Sequence, residues 1–351
     1  MWMYLVVFLS LLAAELIYFK VAERYGIVDV PNKRSSHTLV VLRGGGIIFP
    51  LSVCLWGLLV GVMGGWPLIV DFLPFLAGLI LLAITGFVDD KRSLSSTARL
   101  LVQFIAIGFM LGSVAHDCEE TASISWLCQV LIFIVAMIIL VGAVNIINFM
   151  DGINGITAGY SLSVLIPLLL LNNMQGMPFV PNSFLGVSIL AAVVFSLFNF
   201  RPKGKAKCFA GDVGSLSIGF IMLFALSKLI VQTGDVTWFM LLMVYGVDGC
   251  LTIVHRIMLH EHLSEAHRKH AYQIMANELG MSHVAVSLLY MSLQLVISLV
   301  AIYIIPDTIV ARLTYLICVA AVMGLAYIAF MKKFYHLHEE YLRTLHNAQS
   351  K

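Results

Sequence analysis

Four aspartates in three short stretches could do most of the chemistry in this sequence. They are Asp89 and Asp90 in GFVDDKRS, Asp151 in NIINFMDGINGITAG and Asp212 in CFAGDVGSLS. Each lies at the end of a long apolar run. A carboxylate at mid-bilayer costs roughly 2.5–3.5 kcal/mol on insertion scales, and less at the mouth of a span. Adjacent carboxylates repel unless a cation lies nearby, and hard cations such as Mg²⁺ take carboxylate oxygens. Asn145, Asn148 and Asp151 follow at three-residue steps, which would set them on one broad face of a continuing helix. Gly152, Asn154, Gly155 and Gly159 then weaken that helix. Irregular backbone at membrane depth is tolerated where it is buried or lines a wet cavity. Gly211 and Gly214 flank Asp212, and Phe209 offers a ring on which a base could stack.

Basic residues accompany the acids. In DVPNKRSSHTLVVLRGGG, residues 29–46, Arg34, His37 and Arg43 could receive a phosphate. Gly44, Gly45 and Gly46 allow close backbone approach. Residues 248–273 hold Asp248, His255, Arg256, His260, His262, His267, Arg268 and His270. The stretch has a single cysteine, Cys250, and no HExxH spacing, so a zinc site is not indicated. Arg offers forked donors and His a titratable one, which suits a polyphosphate. Taken singly, each cluster has a plainer reading: a basic loop, an Asp pair neutralised by Lys91 and Arg92, a polar connection, a helix cap at Asp212, or an amphipathic surface helix. One site for a divalent cation and a polyphosphate would explain why all of them gather at one membrane face.

The elements that must position these residues are membrane helices. The chain has 351 residues, of which 60% are apolar and 11% are charged, against roughly 25% charged in soluble domains. Apolar runs long enough to cross a bilayer fall near 1–19, 44–63, 67–88, 100–116, 125–147, 156–171, 183–199, 209–231, 237–255, 282–305 and 308–331. The expectation is an all-α polytopic membrane protein of about eleven spans. It forms a single integral domain over 1–351, with a polar tail from about 332 to 351. A β-barrel would need short alternating segments, and the first run reads as an uncleaved span. Of the 21 Lys and Arg, all but Lys228 and Arg312 fall in one set of loops or the tail. The opposite loops carry Asp71, Asp117, Glu119, Glu120, Asp235 and Asp307. Basic loops stay in the cytoplasm, so the N-terminus is expected outside, and the C-terminus and the polar clusters inside. The six cysteines show no disulfide framework.

In combination, DD after the third span, NxxNxxDGxNG, FxGDxGS and the His/Arg loop after the ninth resemble the polyprenyl-phosphate N-acetylhexosamine-1-phosphate transferases. The resemblance covers roughly 29–273. That superfamily includes the phospho-N-acetylmuramoyl-pentapeptide transferase and the enzymes that start O-antigen and enterobacterial common antigen. The resemblance implies transfer from a UDP-N-acetylhexosamine to polyprenyl (undecaprenyl) phosphate, releasing UMP. It also implies Mg²⁺, with Mn²⁺ as a substitute, at the cytoplasmic face of a bacterial inner membrane. Asp212 resembles the metal-binding aspartate, with Asp151 beside it as a second metal candidate. Asp89 resembles the carboxylate that deprotonates or orients the lipid phosphate, and Asp90 its supporting neighbour. Asn148, Asp151, Asn154, Phe209 and Gly211 match nucleotide-contacting positions. Arg256, His267, Arg268 and His270 match the loop that reaches the diphosphate and sugar.

The sequence also departs from the family. Ser93 stands where some relatives carry a third acid, and TLVVL replaces a proline-rich segment. The second change leaves the partner of the lipid phosphate open among Arg34, His37 and Arg43. AHRKHAYQ, in place of a triple-histidine run, points to the branch that starts O-antigen. The lipid bilayer is the expected surroundings, a homodimer is compatible, and no nucleic acid is implied. A secondary transporter would place its polar broken helices at mid-membrane in repeated halves. An intramembrane aspartyl protease on Asp151 and Asp212 would need glycine at Phe209 and would leave Asp89 and Asp90 unused. A reporter fused after Lys351 should be active in the cytoplasm; an extracytoplasmic signal would reverse the orientation.

Overall fold

A computed structural model of the chain describes residues 2–31, 36, 39–115, 125–174, 176, 178–263 and 267–349. It is a helical bundle built from α1 (Trp2–Tyr25), α2 (Ile48–Val62), α3 (Trp66–Lys91), α4 (Ser96–Ala115), α5 (Trp126–Phe149), α6 (Ile156–Met174), α7 (Asn182–Asn199), α8 (Gly211–Thr233), α9 (Met243–Met258), α10 (Ala271–Asn277), α11 (His283–Tyr303) and α12 (Ile309–Gln349). Among the described residues, eleven helical segments are long and apolar enough to cross a membrane, the number expected from the apolar runs. Their lipid-facing sides are studded with exposed Leu, Ile, Val and Phe, as along α5 from Leu127 to Ile139.

Helix α8 is the axis of the bundle. Its sequence is apolar nearly all round, and its residues from Val213 to Leu229 are buried, which is how a helix hydrophobic on every side must sit. Helices α2, α3, α5 and α6 surround it. Towards the face away from the aspartates, Phe75 stacks on Phe224 with centroids 4.0 Å apart. Phe72 and Phe184 close edge-on around the pair. Small residues let other elements approach the N-terminal end of α8. A Cβ on Gly46 would lie 2.3 Å from Gly214 Cα, and one on Gly86 would lie 2.6 Å from Val213 N.

Three features depart from a plain reading of apolar runs. The ninth run is not one helix: a 3₁₀ segment (Val236–Leu242) precedes α9. Gln294 of α11 repairs that junction, accepting from Val244 N and from the Tyr160 hydroxyl and donating to Met240 O. Second, the segment before α2 carries a two-stranded antiparallel pair, β1 (Val28–Asp29) and β2 (Val41–Leu42). Phe209 N donates to Leu42 O, Gly45 N to Phe209 O and Gly46 N to Ala210 O. The close approach allowed by the glycines is therefore made by residues 208–210 and the start of α8. Third, the expected polar tail continues α12, which runs helically from Ile309 to Gln349.

On the opposite face Arg312 stands between Asp235 and Asp307 and lies over the Trp238 ring. Arg312, one of the two basic residues outside the charge pattern, is thus neutralised locally. The contact between the 3₁₀ turn Gly45–Ile47 and α8 yields a stability prediction. Gly46→Ala should cost about 1–3 kcal/mol through overpacking, read as a lower melting temperature in detergent. An unchanged melting temperature would show that the turn and the helix separate freely.

Candidate active site

The aspartates converge because of how α8 begins. A helix N-terminus leaves backbone N–H groups without intrahelical partners. No side chain at the position before α8 caps them. The cap comes from the end of α3: Asp90 Oδ1 accepts from Asp212 N at 2.9 Å, and its Oδ2 accepts from Val213 N at 3.1 Å. Gly211, at φ +69°, gives the carboxylate room, since a Cβ there would lie 2.4 Å from Asp90 Oδ2. Arg43 Nε, brought in by β2, donates to Asp90 Oδ1 at 2.6 Å, while its Nη2 lies 3.6 Å from Asp212 Oδ2. Burial opposes the guanidinium charge, but Asp90 and Asp212 outweigh it and raise the Arg43 pKa above its ordinary value.

Asp89 points to the other side of the α3 end. It accepts from Leu94 N at 2.5 Å and from Arg99 Nη1 at 3.1 Å, and is within hydrogen-bonding reach of Asp212. Asn148, on the last turn of α5, donates to Asp212 Oδ1 at 2.9 Å and to Ser215 Oγ at 2.8 Å. Two carboxyls in such contact need a proton or a cation between them.

Beside this cluster opens a polar cavity of about 240 Å³. Asp212, Asp151, Asn148, Asn154, Phe209, Gly211 and Arg43 belong to its wall, so seven residues singled out from sequence line one space. Asp151 accepts from Thr157 Oγ1. Burial pushes its pKa up to about 6, with the Asp212 charge adding to the effect and the Thr157 bond opposing it. Asn154 spends its Nδ2 on the carbonyls of Arg201 and Pro202, at 3.0 and 3.1 Å, so it shapes the wall. Asp29, Ser36, Asn199, Gln273 and His283 also line the cavity and were not singled out as site residues. Asn199 ties two motifs together, accepting from Gly155 N at 2.7 Å and donating to Cys208 O at 2.9 Å. A lone Asn at the end of an apolar run gave only a weak signal for that role.

The His/Arg loop lies next to the cavity, but its four expected contact residues do not line it. Arg256 donates to Glu261 Oε2, Leu263 O and His262 O, folding its own loop. Arg268 Nη2 donates to Glu278 Oε1 at 2.8 Å. His270 Nδ1 lies 3.3 Å from Asp248 Oδ1. The His267 pKa falls to about 3 through burial and the neighbouring His270, Arg256 and Lys269. It is therefore a neutral group and not the cation that a loose basic loop would present. Arg34 and His37 lie outside the described residues.

Among the described residues no three His, Cys, Asp or Glu form a ready cage for a metal. The donor set nevertheless fits Mg²⁺, which usually takes one or two carboxylates and keeps waters or substrate phosphates as its other ligands. Asp212 and Asp151 open on the same cavity, and each is close enough to the other to feel its charge.

The glycosyl transferase family 4 model matches residues 72–230. That stretch contains Asp89, Asp90, Asp151 and Asp212. The chain is 26% identical over 293 residues to a probable undecaprenyl-phosphate N-acetylglucosaminyl 1-phosphate transferase of Bacillus subtilis, covering 80% of this chain and 78% of the relative. It is 27% identical to an undecaprenyl-phosphate alpha-N-acetylglucosaminyl 1-phosphate transferase of Yersinia pestis, over 63% of this chain and 60% of the relative. It is 29% identical to a phospho-N-acetylmuramoyl-pentapeptide-transferase of Shouchella clausii, over 50% of this chain and 57% of the relative. The chain thus spans under two thirds of the length of the last two.

Asp151 supplies the pH prediction. With its pKa raised from 3.8 to about 6, the folded chain holds more protons than the unfolded one across that window. Its contribution to stability then falls as pH rises from about 4 to about 6. In EDTA, the melting temperature of the wild type should fall across that range relative to Asp151→Asn, and Mg²⁺ at neutral pH should close the gap. A gap constant with pH would remove Asp151 from the cavity's charge balance.

Proposed function

We propose that this chain, which belongs to the polyprenyl-phosphate N-acetylhexosamine-1-phosphate transferase superfamily, moves an N-acetylhexosamine 1-phosphate from its UDP ester to a polyprenyl phosphate such as undecaprenyl phosphate. The observation that carries the reading is that Asp151, Asp212 and Arg43, from three distant segments, line one polar cavity, with Asp89 and Asp90 of a fourth segment against Arg43 and the start of α8. In the reaction, a phosphate oxygen of the lipid attacks the β-phosphorus of the UDP-sugar. The bond from that phosphorus to the bridging oxygen breaks, and UMP leaves with the bridging oxygen.

Each residue has a part set by its surroundings. Asp212 and Asp151 would hold Mg²⁺, which neutralises charge on the diphosphate and steadies the leaving phosphate. Asn148 fixes the rotamer of Asp212 through Oδ1. Arg43 is 31% exposed at its side chain and lines the cavity, which supports it, among the described residues, as a receiver of phosphate. Asp90 is committed to the α8 cap and to Arg43, so its part is to aim the others. Asp89, paired with Arg99, orients the incoming lipid phosphate. Phe209 in the cavity wall offers a face to uracil. The site faces the cytoplasm of a bacterial inner membrane, as the basic loops require, and the product is the first lipid-linked sugar of an envelope polysaccharide such as O-antigen.

The test is turnover. Purified protein with a UDP-N-acetylhexosamine, undecaprenyl phosphate and Mg²⁺ should release UMP and form a lipid-linked sugar phosphate. EDTA and Asp212→Asn should each lower kcat by roughly a hundredfold or more, the scale of a lost charge-stabilising group. Absence of UMP with every UDP-N-acetylhexosamine tried would overturn the transferase reading.

A further inference from the structure

Helix α12 is far longer than a membrane needs. Its 41 residues span about 60 Å at 1.5 Å per residue, against about 30 Å of hydrocarbon. The surplus turns do not project freely. They pack on the loop between α9 and α11 that carries the His/Arg residues. Tyr327 and Met331 form a small buried cluster with Ala271 and Ile274 of α10. Beyond them the contacts turn polar. His338, 1% exposed, places Nδ1 3.0 Å from Glu278 Oε1. The same oxygen takes the hydrogen bond from Arg268, whose guanidinium lies 4.2 Å from the centre of the Tyr341 ring.

The other side of α10 meets the cavity. Tyr272 donates its hydroxyl to Phe149 O at 3.0 Å. A Cβ on Gly152 would lie 2.3 Å from that hydroxyl and 3.1 Å from Gln273 Nε2. Gln273 itself lines the cavity. The short helix is therefore held between the Asp151–Gly152 turn on one side and the overhang of α12 on the other. A seven-residue helix is too short to be stable alone; its orientation depends on these two supports.

We propose that the overhang of α12 is a strut that sets α10 against the donor cavity, with His338 and Tyr341 as positioning residues for binding of the nucleotide-sugar. Neither residue touches the cavity. They act through Glu278 and Arg268 on the helix that carries Gln273 and follows His270. The inference rests on the transferase reading for its kinetic part and on geometry alone for its structural part. The lipid-phosphate side, at Asp89 and Arg99, lies on α3 and α4, whereas α12 packs on α9, α10 and α11.

Full-length His338→Ala and Tyr341→Ala should raise the KM for the UDP-sugar roughly tenfold, as a displaced binding wall does. The KM for undecaprenyl phosphate should stay within about twofold of wild type. Amide hydrogen exchange across residues 267–278 should rise about tenfold or more while the membrane helices keep their protection. Tyr341→Phe, which keeps the ring over Arg268, and His338→Asn, which keeps a polar nitrogen near Glu278, should restore both readouts. Wild-type exchange and wild-type donor KM in both alanine variants would overturn the proposal. So would exchange raised throughout the bundle with both KM values shifted together, since that marks general destabilisation. If the wild type turned over no UDP-sugar, the transferase reading would fail while the exchange data would still decide whether α12 holds α10.

Discussion

One buried carboxylate organises the cavity end of this bundle. Asp90 meets two orphan N–H groups at the start of α8 and the guanidinium of Arg43. A charged acceptor on N–H donors at a helix N-terminus is favoured twice, by hydrogen bonding and by the helix dipole. The arrangement joins the ends of α3 and α8 and the strand before α2, segments that lie far apart in sequence. It leaves Asp212, the next residue on α8, pointing into the cavity with Asn148 beside it. Removing such an anchor leaves a half-buried Arg and an uncapped helix together, which is why the pair cannot be treated as two equivalent acids.

This division of labour explains why an Asp-Asp dipeptide is useful here. Successive side chains on a helix point about 100° apart. Asp90 can therefore turn inward to α8 while Asp89 turns towards Arg99 and the backbone of Leu94. The glycines at 46, 86, 211 and 214 are the steric condition for this meeting. Side chains there would hold the three segments apart by more than a hydrogen bond can span.

A second layer surrounds the first and is made of charges that look available from sequence alone. Arg256 and Arg268 are spent on Glu261 and Glu278. Asp248, buried inside the bundle, accepts from Ala271 N, Tyr272 N and the Tyr290 hydroxyl. The loop between α9 and α11 is thus a folded part of the wall, stapled to α9, α11 and α12. Glu261 shows the same economy: burial would raise its pKa, but the hydrogen bonds from Lys269 and Arg256 bring it below the ordinary value. Buried polar groups must find partners, and in a loop this rich in charge they find one another.

The sequence alone determined the helical architecture and pointed to part of the cavity lining. Long apolar runs need helices to satisfy their backbone in lipid, so eleven spans could be counted directly. Polar residues at span ends are costly enough to mark function, and Asp89, Asp90, Asp151, Asp212, Asn148 and Phe209 were legible for that reason. Tertiary structure decided which role each could take. Only the folded chain shows that Asp90 is a cap, that Asn154 holds a turn, that Asn199, Gln273 and His283 share the cavity, and that the polar stretch after Met331 is helix. Those outcomes turn on distances between segments far apart in sequence and on which hydrogen-bond partner a buried group meets first. Composition and periodicity report neither, because they record what a residue needs and not which neighbour the fold supplies.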